Sequence, residues 1–167
     1  TDSVYNLQHD QFKQFPETIM PINVSQEKLD FVLRLLKKYP RLRNYLSISE
    51  GLRIPAKYEQ ESESDFRIVK QYQFDRWTPI REGTKISSRH LRSVASDTSS
   101  RFKKIIENKV LIAEDALQIT ATLDEHKHVP QGGVYFGTAM KSNINLKVIL
   151  ALLNSRLLSN IYQFLFS

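Results

Sequence analysis

Residues 109–138, KVLIAEDALQITATLDEHKHVPQGGVYFGT, decide the fold class of this chain. Positions 109–114 and 133–138 are short runs of β-branched and aromatic residues bounded by turn formers. Between them, apolar residues at positions 117, 119, 121 and 123 alternate with polar ones. Alternation with period two is typical of a half-buried strand, so all three segments predict strands.

The sequence on either side adds two more strands and three helices. Residues 67–72 and 76–81 have strand composition. Ser25 is a plausible N-cap for a helix whose apolar residues follow at helical spacing until Pro40. Residues 99–106 predict a short helix with Arg101, Lys103 and Lys104 on its outer face, and an apolar helix is expected from Asn145 onward.

Strands in the middle of the chain and helices at its two ends indicate an α+β fold. We expect central, mostly antiparallel strands, an N-terminal helix and a long C-terminal apolar helix. The length of 167 residues is that of one domain. We divide the chain into a helical lead-in, residues 1–45, and a main domain, residues 46–167. The stretch 146–166 carries polar residues near its middle and end, which make it a poor membrane span: Asn154, Ser155, Arg156, Asn160 and Gln163.

Positive charge is concentrated in the centre of the chain. The whole chain carries +6, whereas residues 67–109 contain eleven basic and four acidic residues, a net charge of +7. Within this block, residues 70–77, KQYQFDRW, interleave cations and amides with aromatics. Cations contact phosphates, Gln and Arg contact base edges, and aromatics either stack on bases or fill a core. The pattern favours a nucleic-acid partner.

No catalytic, cofactor-binding or metal site is expected from the residues. The glycines lack phosphate-loop spacing, and there is no cysteine. His126 and His128 near Asp124 have a metal-like composition, but a surface loop is the better interpretation. Glu114 and Asp115 lack the lysine that a metal-dependent nuclease site would place just beyond them.

Three blocks of the chain resemble a known family. They are LSISEGLRIP at 46–55, IVKQYQFDRW at 68–77, and a third block from 109 that ends in LNSRL at 153–157. Together they are similar to the C-terminal specificity region of TaqI-like adenine-N6 DNA methyltransferases and of related type II restriction-modification enzymes. Gln71 departs from the family's usual glycine, and Phe74 precedes Asp75 where the order of apolar and acidic residue is commonly reversed.

The resemblance implies a non-catalytic target-recognition domain that binds double-stranded DNA. The chain has no Asn-Pro-Pro-Tyr-like motif and no glycine-rich cofactor turn. We therefore expect the chain to be part of a longer protein whose N-terminal methyltransferase domain binds S-adenosylmethionine and is fused in some relatives to an endonuclease. We expect no membrane partner and a cytoplasmic location in a prokaryote, which suits a chain without cysteine.

The residues that we expect to contact DNA all lie in the basic block. Phosphate contacts are expected from the cations, base-edge contacts from the two glutamines and Arg76, and either stacking or core packing from Trp77. The set is Arg67, Lys70, Gln71, Gln73, Arg76, Trp77, Arg81, Lys85, Arg89 and Arg92. Two alternatives remain open: the recognition half of a type I specificity subunit, or a basic protein-interaction or scaffold domain.

Overall fold

The computed structural model describes residues 13, 25–59, 65–78, 80, 81, 83–95, 98–114 and 116–166. Within this part, the helices are α1 (Gln26–Lys38), α2 (Ser88–Val94), α3 (Thr98–Ile106), α4 (Leu146–Leu153) and α5 (Arg156–Phe166). The strands are β1 (Leu46–Glu50), β2 (Phe66–Val69), β3 (Lys85–Ile86), β4 (Lys109–Ala113), β5 (Ala121–Asp124), β6 (Val129–Pro130) and β7 (Val134–Ala139). The α+β prediction is confirmed.

A four-stranded antiparallel sheet with the order β1-β7-β4-β5 forms the scaffold. Successive residues of β4 point to opposite faces, because side chains alternate along a strand. Leu111 lies in one hydrophobic cluster with Phe136 and with Ile105 of α3. Val110 lies in another with Ile149 and other residues of α4. Helices therefore cover both faces of this large sheet.

A second, three-stranded sheet has the order β3-β2-β6. β2 pairs antiparallel with β3 and parallel with the two-residue strand β6, so the expectation of mostly antiparallel pairing holds with one exception. Ile68, Ile86 and Val129 of this small sheet share a buried cluster with Leu111 and Phe136 of the large one. One core therefore fixes the small sheet to the scaffold.

Gly51, at the end of β1, allows close approach of two chain segments. A Cβ atom at this position would lie 2.3 Å from the carbonyl oxygen of Gln131. The amide of Gly51 donates to the carbonyl of Val134 at 2.8 Å, and Leu52 forms a parallel bridge with Gln131. Gly51 lies in the first block of family resemblance, residues 46–55. It thus has a structural role at the end of β1.

The N-terminal helix forms as the sequence predicts and packs against the last helix. Ser25 caps α1 through its hydroxyl, which accepts from the amide of Lys28 at 3.4 Å. Leu29 and Val32 are buried in a cluster that includes Ile161 and Phe164 of α5. The helical lead-in therefore contacts the C-terminal end of the chain.

The C-terminal apolar stretch forms two helices, where the sequence predicts one. α4 ends at Leu153, and the pair α4 and α5 is bent by 57°. The amide of Leu158 donates to the hydroxyl of Ser155 at 3.2 Å, which caps the new helix. In the part that the structure describes, no single helix is long and apolar enough to cross a membrane, while this bent pair passes that test by length and composition only.

Other predicted boundaries change in the structure. The predicted strand 67–72 is shortened to β2 and followed by a 3₁₀ helix, Gln71–Gln73. The predicted strand 76–81 is wrong: a turn stands there, with Trp77 at φ 64°. The alternation from position 117 produces strand only over β5, and helix α2 was not predicted. In each case, side-chain bonds to the backbone or non-local packing override local propensity.

Candidate nucleic-acid interface

The small sheet places two cations directly opposite each other. Arg67 on β2 pairs in register with Lys85 on β3, and Phe66 pairs with Ile86. Facing residues of an antiparallel pair lie on the same side of the sheet, so the two cationic side chains share one side. Arg67 is exposed and Lys85 is half-buried. Facing like charges are unfavourable for folding and raise the local positive potential.

The helix that follows β3 adds two more exposed cations. Arg89 and Arg92 are exposed and three residues apart on α2, so they project from adjacent positions of one helix face. The guanidinium of Arg92 lies 4.3 Å from the ring centroid of Phe102, a cation–π distance. Asp65 anchors the start of this helix by accepting from the amide of Ser88 at 2.7 Å.

Lys70, at the beginning of the β2–β3 loop (residues 70–84), is part of a polar cluster. Its ammonium lies 3.0 Å from Glu59, which also accepts from Thr84 at 2.9 Å and from Gln131 at 3.3 Å. Burial raises the pKa of Glu59, but these donors and the charge of Lys70 outweigh burial and hold the pKa below its ordinary value. Glu59 therefore bridges Lys70 and Thr84, the first and last residues of the loop.

The two glutamines predicted to read base edges lie at different depths. Gln73 is buried, and its side-chain oxygen accepts from the amide of Lys70 at 2.6 Å. Gly83 makes room for this amide group, because a Cβ atom there would lie 2.5 Å from Nε2 of Gln73. Gln71 is half-buried, with its side-chain oxygen next to Gly133. Of the two, the structure places Gln73 inside the loop and leaves Gln71 partly accessible.

The turn in the middle of this loop is held by its own side chains and by β5. The hydroxyl of Thr78 accepts from the amide of Asp75 at 2.8 Å, and a carboxylate oxygen of Asp75 accepts from the amide of Arg76 at 2.6 Å. Thr122 of β5 donates to the carbonyl of Thr78 at 2.8 Å. These bonds satisfy the backbone of the turn, which explains why residues 76–81 do not form a strand.

Arg76 connects the turn to two distant segments of the scaffold. Its guanidinium donates to the side chain of Gln118 at 2.9 Å and to the carbonyl oxygen of Asn154. Its Nε is buried and has no hydrogen-bond partner among the described residues. The sequence predicts contact between Arg76 and a base edge. In the structure the guanidinium contacts Gln118 and Asn154, while Asp75 binds the backbone.

Asn154 explains the most specific piece of the family resemblance, LNSRL. The residue is buried at the break between α4 and α5. Its side-chain oxygen accepts from the amide of Ala121 at 3.0 Å, and its side-chain nitrogen donates to the carbonyl of Ala121 at 2.9 Å. One amide side chain thus pairs with the edge strand β5, while the backbone carbonyl of the same residue receives Arg76.

Two large aromatic side chains of the β2–β3 loop are exposed. Tyr72 is 71% exposed and Trp77 is 59% exposed. Trp77 is not a member of any of the buried clusters of the described residues, so the core alternative that the sequence left open for it does not hold. Arg81 is an exposed cation of the same loop, and its backbone amide donates to the carbonyl of Gln73 at 2.8 Å.

A comparison with known protein families identifies the domain. Residues 52–167 match the family model described as the TaqI-like C-terminal specificity domain. The chain belongs to this family. The TaqI-like specificity domain has a target-recognition role in DNA methyltransferases and is not their catalytic part. No curated protein matches the chain.

One buried cluster of this TaqI-like domain was missed in the sequence. Lys109, which was counted in the basic block, is completely buried and lies 2.5 Å from Asp124 on the facing strand. Asp124 also lies 2.7 Å from His128 Nδ1 and accepts from the amide of His126 at 2.9 Å. His128 is buried, so the surface-loop interpretation is wrong for this residue. Among the described residues, no group of side chains is suited to hold a metal ion.

Burial and pairing have opposite effects on the pKa of Asp124. Burial raises its pKa, but the bond to His128, the charge of Lys109 and the amide of His126 hold the pKa below the ordinary value. Burial lowers the pKa of Lys109, and the charge of Asp124 and the hydrogen bond to it oppose this effect. Because the pKa of Asp124 is lowered as well, we describe the two side chains as an ion pair. The alternation of β5 places Asp124 among the polar residues, so the pattern does not indicate its burial. The one signal in the sequence was Lys109, which lies on the same side of β4 as the buried Leu111.

The basic residues of α3 are divided between solvent and scaffold. Lys103 is exposed. Lys104 donates to the hydroxyl of Ser47 at 3.2 Å, and Arg101 donates to the carbonyl of Glu50 at 3.3 Å. The predicted outer basic face of this helix therefore partly contacts β1.

Proposed function

We propose that this chain is the target-recognition domain of an adenine-specific DNA methyltransferase in a restriction-modification system and that it binds double-stranded DNA with sequence preference. The observation that carries the proposal is the concentration of accessible cations along residues 67–92, on β2, the β2–β3 loop, β3 and α2. Four are exposed and one is half-buried: Arg67, Arg81, Arg89, Arg92 and Lys85. Cations grouped in this way neutralise DNA phosphates.

In this proposal the predicted DNA-contacting residues have different roles. Arg67, Arg81, Lys85, Arg89 and Arg92 contact phosphates. Gln71 and the exposed aromatics of the β2–β3 loop are the candidates for contact with bases. Lys70, Gln73 and Arg76 maintain the shape of the loop, because each is engaged inside the protein.

Salt dependence tests the phosphate contacts. If about four to six phosphates are neutralised, the logarithm of the binding constant for a mixed-sequence duplex falls against the logarithm of salt concentration with a slope of roughly −4 to −5. The double variant Arg89→Gln/Arg92→Gln should reduce this slope by about 2. The matched control, Lys37→Gln/Lys38→Gln, removes two exposed cations from α1 and should leave it unchanged. Equal binding of a polyglutamate chain would favour a scaffold domain instead.

Methyl transfer is assigned to another part of the protein. We propose that S-adenosylmethionine binds in a catalytic domain N-terminal to this chain and that the chain itself neither methylates nor cleaves DNA. Incubation with labelled S-adenosylmethionine and mixed DNA measures this. Incorporation of label above a protein-free blank would contradict the proposal.

A further inference from the structure

Trp77 combines three properties that seldom occur together. It is the only tryptophan of the chain, it is 59% exposed, and its φ of 64° lies in the left-handed region. A bulky residue in that region is strained, and such strain persists only where surrounding contacts determine the conformation. Since the indole fills no buried cluster of the described residues, core packing does not explain why the strain is kept.

The contacts that determine this conformation are all next to Trp77 in the chain. Arg76, before it, is bound to Gln118 and to the carbonyl of Asn154. Thr78, after it, is bound to Thr122 of the large sheet. The backbone on both sides of the indole is therefore fixed to the scaffold, while the indole itself extends outward. A rigid loop that presents an exposed aromatic loses little conformational entropy on binding.

The charge around Trp77 indicates the class of partner. Cations lie on both sides of Trp77 in the chain: exposed Arg81 is four residues further along the loop, and exposed Arg67 and half-buried Lys85 are on the two strands that the loop joins. A protein partner that is only acidic would pair with the cations and give the indole nothing specific to contact. Duplex DNA offers phosphates for the cations and, at a base step that is opened or a base that is flipped out, the flat face of a base for the indole.

We infer that Trp77 stacks on a base of the bound DNA and that Arg76 is the positioning residue that holds it in place. The inference rests on the proposed function, because it requires DNA to meet this side of the small sheet. Tyr72, which is 71% exposed, is a second accessible aromatic side chain on the same loop. Binding to an acidic protein is the competing outcome.

The emission of the single tryptophan tests the inference without any substitution. Addition of a mixed-sequence duplex at low salt should quench Trp77 and shield it from acrylamide, because a stacked indole is covered by a base. Polyglutamate at the same charge concentration should leave the emission unchanged. Binding of DNA without any change in emission or shielding would overturn the stacking and leave the proposed function in place. Failure of the duplex to bind would overturn both, and shielding by polyglutamate would replace the base by a protein partner.

Substitutions then measure the contribution of the indole. Base stacking of 1–3 kcal/mol predicts that Trp77→Ala weakens duplex binding about 5- to 150-fold, whereas Trp77→Phe should stay within about threefold of the wild type. Tyr39→Ala is the matched control, because Tyr39 is 55% exposed beside Lys38 on α1 and should not affect binding. Equal affinity of Trp77→Ala and wild type, with normal thermal unfolding, would overturn the inference.

The positioning role of Arg76 is tested by a measurement that a general loss of stability would not change. Arg76→Ala should lower the fluorescence anisotropy of Trp77 in the free, folded protein, because the turn loses its connection to Gln118 and Asn154. It should also reduce the quenching by DNA. Unchanged anisotropy together with unchanged quenching would remove the positioning role.

Discussion

Two cross-strand pairs of charged residues occupy equivalent positions in the two sheets. Lys109 faces Asp124 in the large sheet, and Arg67 faces Lys85 in the small one. The first pair has opposite charges and is completely buried, whereas the second has like charges, with Arg67 exposed. The large sheet therefore uses opposite charges for its own pairing, while the small sheet places two like charges opposite each other, which the DNA partner that we propose would neutralise.

The largest effect is expected when the buried pair is broken. Asp124→Asn leaves the ammonium of Lys109 buried without a counter-charge and should lower the free energy of unfolding by about 3–5 kcal/mol. Urea denaturation measures the change. Glu125→Gln, at the exposed neighbouring position, is the control and should stay within about 0.5 kcal/mol of the wild type. A similar small change for both variants would mean that the pair contributes nothing specific.

The pH dependence of stability distinguishes the two pairs. Since the pKa of Asp124 is held below its ordinary value of 3.8, its contribution to stability is complete above that pH and is lost as pH falls through the lower value in the folded state. As the pH is lowered, the free energy of unfolding of the wild type should therefore fall more steeply than that of Asp124→Asn. Lys85→Gln, in the small sheet, should retain the wild-type steepness.

The next effect concerns the loop carried by the small sheet. Arg76→Ala removes two hydrogen bonds from a charged donor, one of them to a buried segment, and should cost about 1–3 kcal/mol of stability. Arg81→Ala, an exposed neighbour on the same loop, should cost much less.

The same Arg76→Ala variant separates loop positioning from base reading. Its affinity is measured for cognate and random duplexes at one salt concentration. We expect similar losses of affinity for both duplexes, because a positioning residue does not read the sequence. A larger loss for the cognate duplex would instead indicate base reading. Lys104→Ala should weaken binding to both duplexes by similar factors.

A smaller change of opposite sign is expected at Trp77. Glycine adopts a positive φ without strain, so Trp77→Gly should raise the free energy of unfolding by about 1 kcal/mol while weakening DNA binding. Lys127, with φ 59°, is the matched position outside the loop. Lys127→Gly should give a similar gain in stability without a comparable loss of DNA binding.

The smallest change in stability is expected for the like-charged pair. Lys85→Glu places an acid opposite Arg67 and should stabilise the protein by about 0.2–1 kcal/mol. The same variant should weaken duplex binding and make the salt slope shallower by roughly 1–2. If Lys85→Glu lowers both the stability and the affinity for DNA, the two facing cations do not reduce stability in exchange for DNA binding.

Periodic segments were predictable from the sequence because their structure is local. The helix α1 and the strand β4 follow from spacing and composition, and the first block of resemblance marks β1 and Gly51. The C-terminal apolar stretch was recognised, but its break was not, since the break depends on Asn154 pairing with Ala121 on β5.

The site was predictable as a region and not as individual roles. The charge count located the small sheet, α2 and the loop between β2 and β3. It could not distinguish Lys109, which is buried against a residue of the next strand, from Arg89, which is exposed. Arg76 contacts Asn154 across 78 positions of sequence, so its role depends entirely on tertiary structure.

The strand order of the large sheet has a consequence for variation among such proteins. β1 and β4 both pair antiparallel with β7 and therefore run parallel to each other. The segment 51–108 leaves the sheet beside Tyr135 and re-enters it beside Thr138, so its ends are two strand spacings and three residues along the strand apart, about 14 Å. All ten residues predicted to contact DNA lie in this segment. Doubling the length of a flexible part of it costs only about 0.6 kcal/mol of closure entropy. Length changes confined to surface turns of the segment leave both its core residues and the pairing of β1 and β4 with β7 intact. Under the proposed function, these turns are where recombination would exchange one target preference for another.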